Sequence, residues 1–114
     1  MNIIESEQWA QWVREALENK SAMDVVTLDL RKLSAVTDFF IVATGTSTPH
    51  LKALAHDVER AMRTHGVRGR TSGTAESHWV VIDFVDVVVH LFEAETRAYY
   101  ALEQLWGDAP TVTS

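Results

Sequence analysis

The sequence predicts one α/β domain, bordering on α+β, with a mixed sheet of about five strands flanked by helices. Three observations carry that expectation. Short runs of β-branched and apolar residues interleave with stretches of helical periodicity. No linker, repeat or low-complexity segment divides the 114 residues, and that length supports one core but not two. Hydrophobic residues make up 46% of the chain and charged residues 23%, an ordinary balance for a folded domain.

The elements follow in order. Ser6 is expected to cap a first helix, with Glu7 near the positive end of its dipole and Trp9, Trp12, Val13, Ala16 and Leu17 on one face. Val25 to Leu30 alternates and reads as a strand. Phe39 to Thr44 is apolar on both faces, as an interior strand of a covered sheet would be. Gly45-Thr46-Ser47-Thr48-Pro49 then opens a helix, with Thr48 or Ser47 as cap and Pro49 in the first turn, where its missing N–H costs nothing. Leu51, Leu54, Ala55, Val58, Met62 and His65 share one face of that helix, and Gly66 ends it in a left-handed cap. A short strand around Val67 to Thr71 leads through Gly73 to two adjacent strands within Trp79 to Phe92. A last helix is expected from Glu93 to Trp106, with Ala98, Tyr99, Leu102, Leu105 and Trp106 inward and Gly107 and Pro110 ending it. The domain thus spans residues 1–107, and residues 108–114 are expected to form a disordered tail.

Composition excludes several classes of function. No run approaches the roughly 18 apolar residues of a membrane span, so no membrane partner is expected. The acidic start lacks the features of a signal or transit peptide, and the absence of cysteine removes disulfides and thiolate sites. A cytoplasmic location is the corresponding expectation. Net charge is −6, which argues against gripping nucleic acid over the whole surface. The charge is polarised, however. Arg60, Arg63, His65, Arg68 and Arg70 form a run without an acid, whereas Glu76 to Asp108 holds seven acids and one base, Arg97. The run reads as a solvated face or as a nucleic-acid contact.

The most informative segment is Trp79-Val-Val-Ile-Asp-Phe-Val-Asp-Val-Val-Val-His-Leu-Phe92, two apolar strands interrupted by Asp83, Asp86 and His90. Ionisable groups there need partners if buried, or mark a surface if exposed. Asp83 and Asp86 can cap the turn between the strands or hold a divalent ion. His90 lies opposite Val87, Val89 and Leu91 with no nucleophile motif beside it, so it reads as a satisfied or interface-lining histidine. His50 and His56 are six apart and do not share a face as a helical metal pair would. Trp79 divides between core and interface. Gly45, Thr46 and Ser47 form a structural turn or a candidate phosphate site, without the lysine and spacing of a Walker loop. No catalytic residue, metal site or cofactor is expected. The rival readings are a phosphate- or nucleotide-binding enzyme using Gly45–Ser47 with Asp83 and Asp86, and a homodimer formed through an exposed strand.

Thr37-Asp-Phe-Phe-Ile-Val-Ala-Thr-Gly-Thr-Ser47 followed by His50, then Trp79-Val-Val-Ile-Asp83 and Asp86-Val-Val-Val-His-Leu-Phe92, then Arg97-x-Tyr-Tyr-x-Leu-Glu-x-Leu-Trp106, resemble the ribosomal silencing factor (RsfS, or Iojap) family. Three blocks in order make the resemblance specific, and it extends over about residues 5–107. It implies a nucleotidyltransferase-like fold without the catalytic carboxylates. It also implies docking on the large ribosomal subunit, through the ribosomal protein numbered fourteen at the intersubunit face, which blocks joining of the small subunit when nutrients are scarce. By carry-over, Trp79, Asp83, Asp86 and His90 would lie on or beside the docking surface, while Arg60, Arg63, Arg68 and Arg70 are the candidates for a contact with ribosomal RNA. Thr37 and Asp38 belong to the pattern and read as structural. The family usually has glycine where this chain has Val85, so the turn is expected to use negative φ or to be strained. The family's Glu-Gly before the Trp strand is Ser72-Gly73 here.

Overall fold

The computed structural model describes residues 4–101, 104 and 110–112. In chain order these form helix α1 (Ile4–Asn19), strands β1 (Met23–Asp29) and β2 (Phe39–Gly45), helix α2 (Thr48–Thr64), strand β3 (Arg70–Thr74), a 3₁₀ turn (Ala75–Ser77), strands β4 (Trp79–Asp83) and β5 (Val87–Glu93), helix α3 (Ala94–Tyr100) and strand β6 (Thr111–Val112). The sheet order is β3-β4-β5-β2-β1-β6. Only β2 and β5 run parallel; the other pairs are antiparallel. The mixed sheet flanked by helices agrees with the sequence expectation.

Alternation within the strands sends two sets of side chains to opposite faces. Phe39, Ile41 and Ala43 of β2, Val87, Val89 and Leu91 of β5, and Val80 and Ile82 of β4 meet Ala10, Val13, Leu17, Leu51, Leu54, Val58 and Met62 from α1 and α2. Burial of this layer is the main stabilising term, at about 1.5–3 kcal/mol for each large aliphatic side chain. The second face carries Phe40, Val42 and Thr44 of β2 beside Val88, His90 and Phe92 of β5. Helix α3 lies over part of it: Arg97 donates to the Thr44 hydroxyl and to the Asp24 carbonyl, each at 2.7 Å, and Tyr100 packs on Trp79.

Helix boundaries follow burial more closely than polar punctuation. Ser6 is not the cap of α1; the helix begins at Ile4, and Ser6 is buried within it. Its spacing to Ala10, Val13 and Leu17 puts it on the core face, so packing carries the helix through it. The cap of α2 is Ser47, whose hydroxyl accepts from the His50 N–H at 3.2 Å. Gly66 follows α2 at φ 80°, the left-handed geometry expected of it. His65 is exposed and stacks on Trp12, ring centroids 3.5 Å apart, instead of entering the core.

Three boundaries differ from expectation. Strand β3 is Arg70–Thr74, not Val67–Thr71, because its register is set by pairing with β4, Arg70 opposite Asp83 and Thr74 opposite Trp79. Gly73 lies inside this strand at φ 76°, and a Cβ there would come 2.4 Å from the Trp79 carbonyl oxygen. Helix α3 breaks at Ala101, which takes φ 47°, and Ala98 is exposed, not inward. The Tyr99 side chain and Leu102, Leu105, Trp106 and Gly107 lie outside the described residues. The expected disordered tail is corrected at Thr111 and Val112, which pair with Leu28 and Thr27 at the edge of β1. Backbone hydrogen bonding to that edge holds the segment where its side chains alone carry no such signal.

The turn between β4 and β5 is held by three elements. The Val85 N–H donates to the Asp83 carboxylate at 2.7 Å, and the Asp86 N–H donates to the Phe84 carbonyl at 3.0 Å. The latter closes a three-residue γ-turn around Val85, whose φ is 72°. The strained alternative is therefore the one the chain adopts. The segment before β2 straps this turn down: the Thr37 hydroxyl donates to the Val85 carbonyl at 3.1 Å, and the Asp38 and Phe39 N–H groups donate to the Asp86 carbonyl at 2.9 and 3.1 Å. Thr37 is buried, so its bond is shielded from water. Thr37→Val keeps the volume and removes that bond; it is expected to lower stability by about 1 kcal/mol in urea denaturation.

Candidate functional site

The four residues singled out on the Trp79–Phe92 segment occupy one face and one end of the sheet, but in unlike environments. On the second face, cross-strand neighbours form rows: Asp83 beside Val88 and Phe40, Val81 beside His90 and Val42, Trp79 beside Phe92 and Thr44. Asp83 is exposed, Trp79 and Asp86 are half-buried, and His90 is only 7% exposed. The indole of Trp79 lies 5.0 Å from the Phe92 ring and 4.5 Å from Tyr100, so it is both a packing and a surface residue. Phe40 and Tyr100, which the residue patterns did not single out, complete this aromatic strip. The Phe40 ring is 4.8 Å from that of His90.

The hydrogen bonds of His90 define its tautomer. Trp79 Nε1 can only donate, and it lies 3.3 Å from His90 Nδ1. Nδ1 is therefore the acceptor, and the proton resides on Nε2. That Nε2 is buried without a hydrogen-bond partner among the described residues. Burial lowers the His90 pKa from 6.5 to about 4, so the ring is neutral at physiological pH. The neutral imidazole thus holds the half-buried indole in place.

Asp83 uses its carboxylate to cap the turn, and Asp86 uses its carbonyl to receive the strap before β2. Among the described residues there is no cluster of three histidine or acidic side chains suited to a metal ion.

Geometry also separates the components of the enzyme rival. Asp86 meets Phe39 at the start of β2, whereas Gly45 ends that strand. Seven extended residues lie between them, on the order of 20 Å, too far for one phosphate to touch both. One donor of the Gly45–Ser47 turn is moreover engaged within the chain. The Thr46 N–H donates to His50 Nδ1 at 2.9 Å, and His50 Nε2–H donates to the Lys20 carbonyl at 2.8 Å. The His50 imidazole thus ties this helix start to the end of α1.

A cleft of about 370 Å³ opens at the carboxyl ends of β2 and β5, where open α/β sheets often bind ligands. Gly45, Thr46, His78, Glu93 and Glu95 line it. The Glu93 carboxylate meets Nδ1 of His78, a residue at φ 67° after the 3₁₀ turn. Two carboxylates repel a phosphate approaching from this side.

The basic run is split by the structure. Arg60 faces Asp57 at 3.7 Å on α2, while Arg63, Arg68 and Arg70 are exposed with no ion-pair partner among the described residues. Arg70 lies across from Asp83 on the second face, so basic and acidic groups border the same surface. No described helix is long and apolar enough to cross a membrane.

The buried histidine generates a pH dependence of known sign. Its pKa is depressed on folding, so between pH 6.5 and about 4 the unfolded chain takes up a proton that the native ring refuses. Stability falls as pH drops through that window, by up to roughly 3 kcal/mol from this group. In His90→Phe that decline should flatten in urea titrations at stepped pH; an unchanged slope would show that His90 is not its source.

The family model described as "Ribosomal silencing factor during starvation" matches residues 3–114. The ribosomal silencing factor RsfS of Halalkalibacterium halodurans is 39% identical over 110 residues, covering 96% of this chain and 94% of that protein. The mouse protein named mitochondrial assembly of ribosomal large subunit protein 1 is 32% identical over 94 residues, covering 79% of this chain and 41% of the mouse protein. A crystal structure from Chromobacterium violaceum superposes with a TM-score of 0.86 at 37% identity, covering 94% of this chain and 88% of that one.

Proposed function

We propose that this chain, which belongs to the ribosomal silencing factor family, is a non-enzymatic repressor of translation that acts by occupying the large ribosomal subunit. The second sheet face, from Trp79 across His90 to the Asp83–Asp86 turn, docks on the ribosomal protein numbered fourteen at the intersubunit face. The body of the factor, in the cytoplasm, then fills space that the small subunit needs, most of all when nutrients are scarce. One observation carries the reading: the polar residues of the sheet are arranged for contact and not for reaction. His90 is neutral and buried, Asp83 and Asp86 hold a turn, and the phosphate-like turn lies at the other end of the strands.

Trp79 is the natural anchor. It is an aromatic with a fixed hydrogen bond, half-exposed and packed against Phe92 and Tyr100 through the ring contacts described above. Aromatic anchors of this kind lose ~2 kcal/mol or more on truncation. Acidic groups beside it favour a basic partner and speed encounter at low salt. Trp79→Ala is expected to weaken co-sedimentation with isolated large subunits at least ~30-fold, the factor corresponding to that loss, with the far-ultraviolet dichroism preserved. Full binding by this variant would move the interface elsewhere.

Arg70 extends the same surface toward ribosomal RNA, and Arg63 and Arg68, which like it have no ion-pair partner among the described residues, form a second basic group beside β3. Strand β3 offers the exposed Ser72 beside Arg70, a hydroxyl of the kind that bonds phosphate without reading sequence, while the Thr71 hydroxyl donates to Glu59 at 2.9 Å and that of Thr74 caps the 3₁₀ turn. Each phosphate neutralised contributes a slope of about −0.7 to −0.9 in log affinity against log salt. The double variant Arg68→Ala, Arg70→Ala should flatten the salt dependence of large-subunit binding by about 1.5; an unaltered slope would exclude the RNA contact.

A further inference from the structure

Val85 carries two separate costs at one position. Its φ of 72° is the left-handed region, where a β-branched side chain is strained and glycine is not. Its side chain is also 66% exposed, so the isolated fold gains little from burying it. Strain of this kind persists only where surrounding contacts impose it, and here they do: the Asp83 cap, the Thr37 hydroxyl and the closing bond of the γ-turn fix the backbone. The backbone requirement is explained by these bonds; the choice of valine over glycine is not.

A further exposed aliphatic residue flanks the turn. Val36 precedes the threonine bonded to the Val85 carbonyl and is 77% exposed. Scattered surface apolar residues need no explanation, but two brought together at one strained turn form a patch. The patch is rimmed by acids: Asp83 is exposed, and Asp38 and Asp86 are half-buried on the two sides of the turn. It continues the docking face, since Asp83 shares a row with Val88 and Phe40, and Phe40 contacts His90.

We propose that Val85, with Val36, is an apolar anchor that inserts into the docking partner. This rests on the docking reading given above and deepens it. The partner surface this fits has an apolar hollow ringed by lysine or arginine, as a basic ribosomal protein can present, with the hollow covering the aliphatic side chains and the cations facing Asp83 and Asp86. Valine at positive φ is then retained for contact, at the expense of the free fold.

The inference predicts opposite signs for stability and binding in one substitution. Val85→Gly should raise the urea midpoint, because glycine relieves the strain, and should weaken binding to purified large subunits about tenfold, because the anchor is gone. Val85→Asn tolerates positive φ without gaining glycine's flexibility, and should weaken binding by a similar factor. Undiminished affinity in both variants, with Trp79→Ala still defective, would overturn the apolar anchor and leave the docking reading standing. Undiminished affinity in all three would mean that the docking reading itself has failed. A concentration-dependent dimer of the free protein that Val85→Gly abolishes would make a second copy the occupant, and would overturn the proposed partner.

Discussion

The parallel ladder between β2 and β5 is the constraint on which the remaining structure depends. It joins Phe39 to Val87 at one end and Gly45 to Glu93 at the other, in the middle of the sheet. Nearly every residue in both strands is buried, so they must be apolar almost throughout. Because they run in the same direction, the turns at their two ends are unlike. The starting end receives the Thr37–Phe39 strap and the Val85 turn, while the finishing end opens into α2 and α3. This polarity places the acidic turn and the glycine turn on opposite sides of the domain, and so determines which residues can act together.

Within that apolar frame the ionisable groups have been disposed in two ways. Asp83 and Asp86 escape to the turn, where one carboxylate and one carbonyl hold backbone donors. His90 cannot escape; it stays buried and remains neutral because no opposing charge compensates its desolvation. It accepts from Trp79, and the indole is held in one orientation on a face bordered by acids and by Arg70. A surface so arranged is suited to recognition, and membership of the ribosomal silencing factor family agrees with that disposition.

Most elements were legible in the residues because their periodicities coincide with their burial. The apolar stripe of α2, from Leu51 to Met62, is the clear case, since every buried position falls at helical spacing and Ser47 and Gly66 mark its ends. Legibility failed where a local signal competed with packing. Ser6 resembles a cap but lies on the core face of α1. Val67 resembles a strand residue, yet pairing with β4 moves the strand to Arg70–Thr74. The break at Ala101 has no glycine to announce it, and strand β6 depends on the open edge of β1 rather than on its own side chains.

The candidate surface divides in the same manner. From the sequence alone came the residue types, the alternation that puts His90 opposite Val89 and Leu91, the capping use of Asp83, and the unusual valine in the turn. These are consequences of spacing and of local backbone chemistry, which a linear pattern contains. Only the tertiary structure decided that His90 accepts from Trp79, that His50 ties the glycine turn to the end of α1, that Tyr100 and Phe40 complete the aromatic strip, and that Val85 is held at positive φ. Each of these depends on contacts between segments distant along the chain, and Thr37 with Val85 shows why. A hydroxyl 48 residues away maintains a conformation that the local sequence of the turn disfavours.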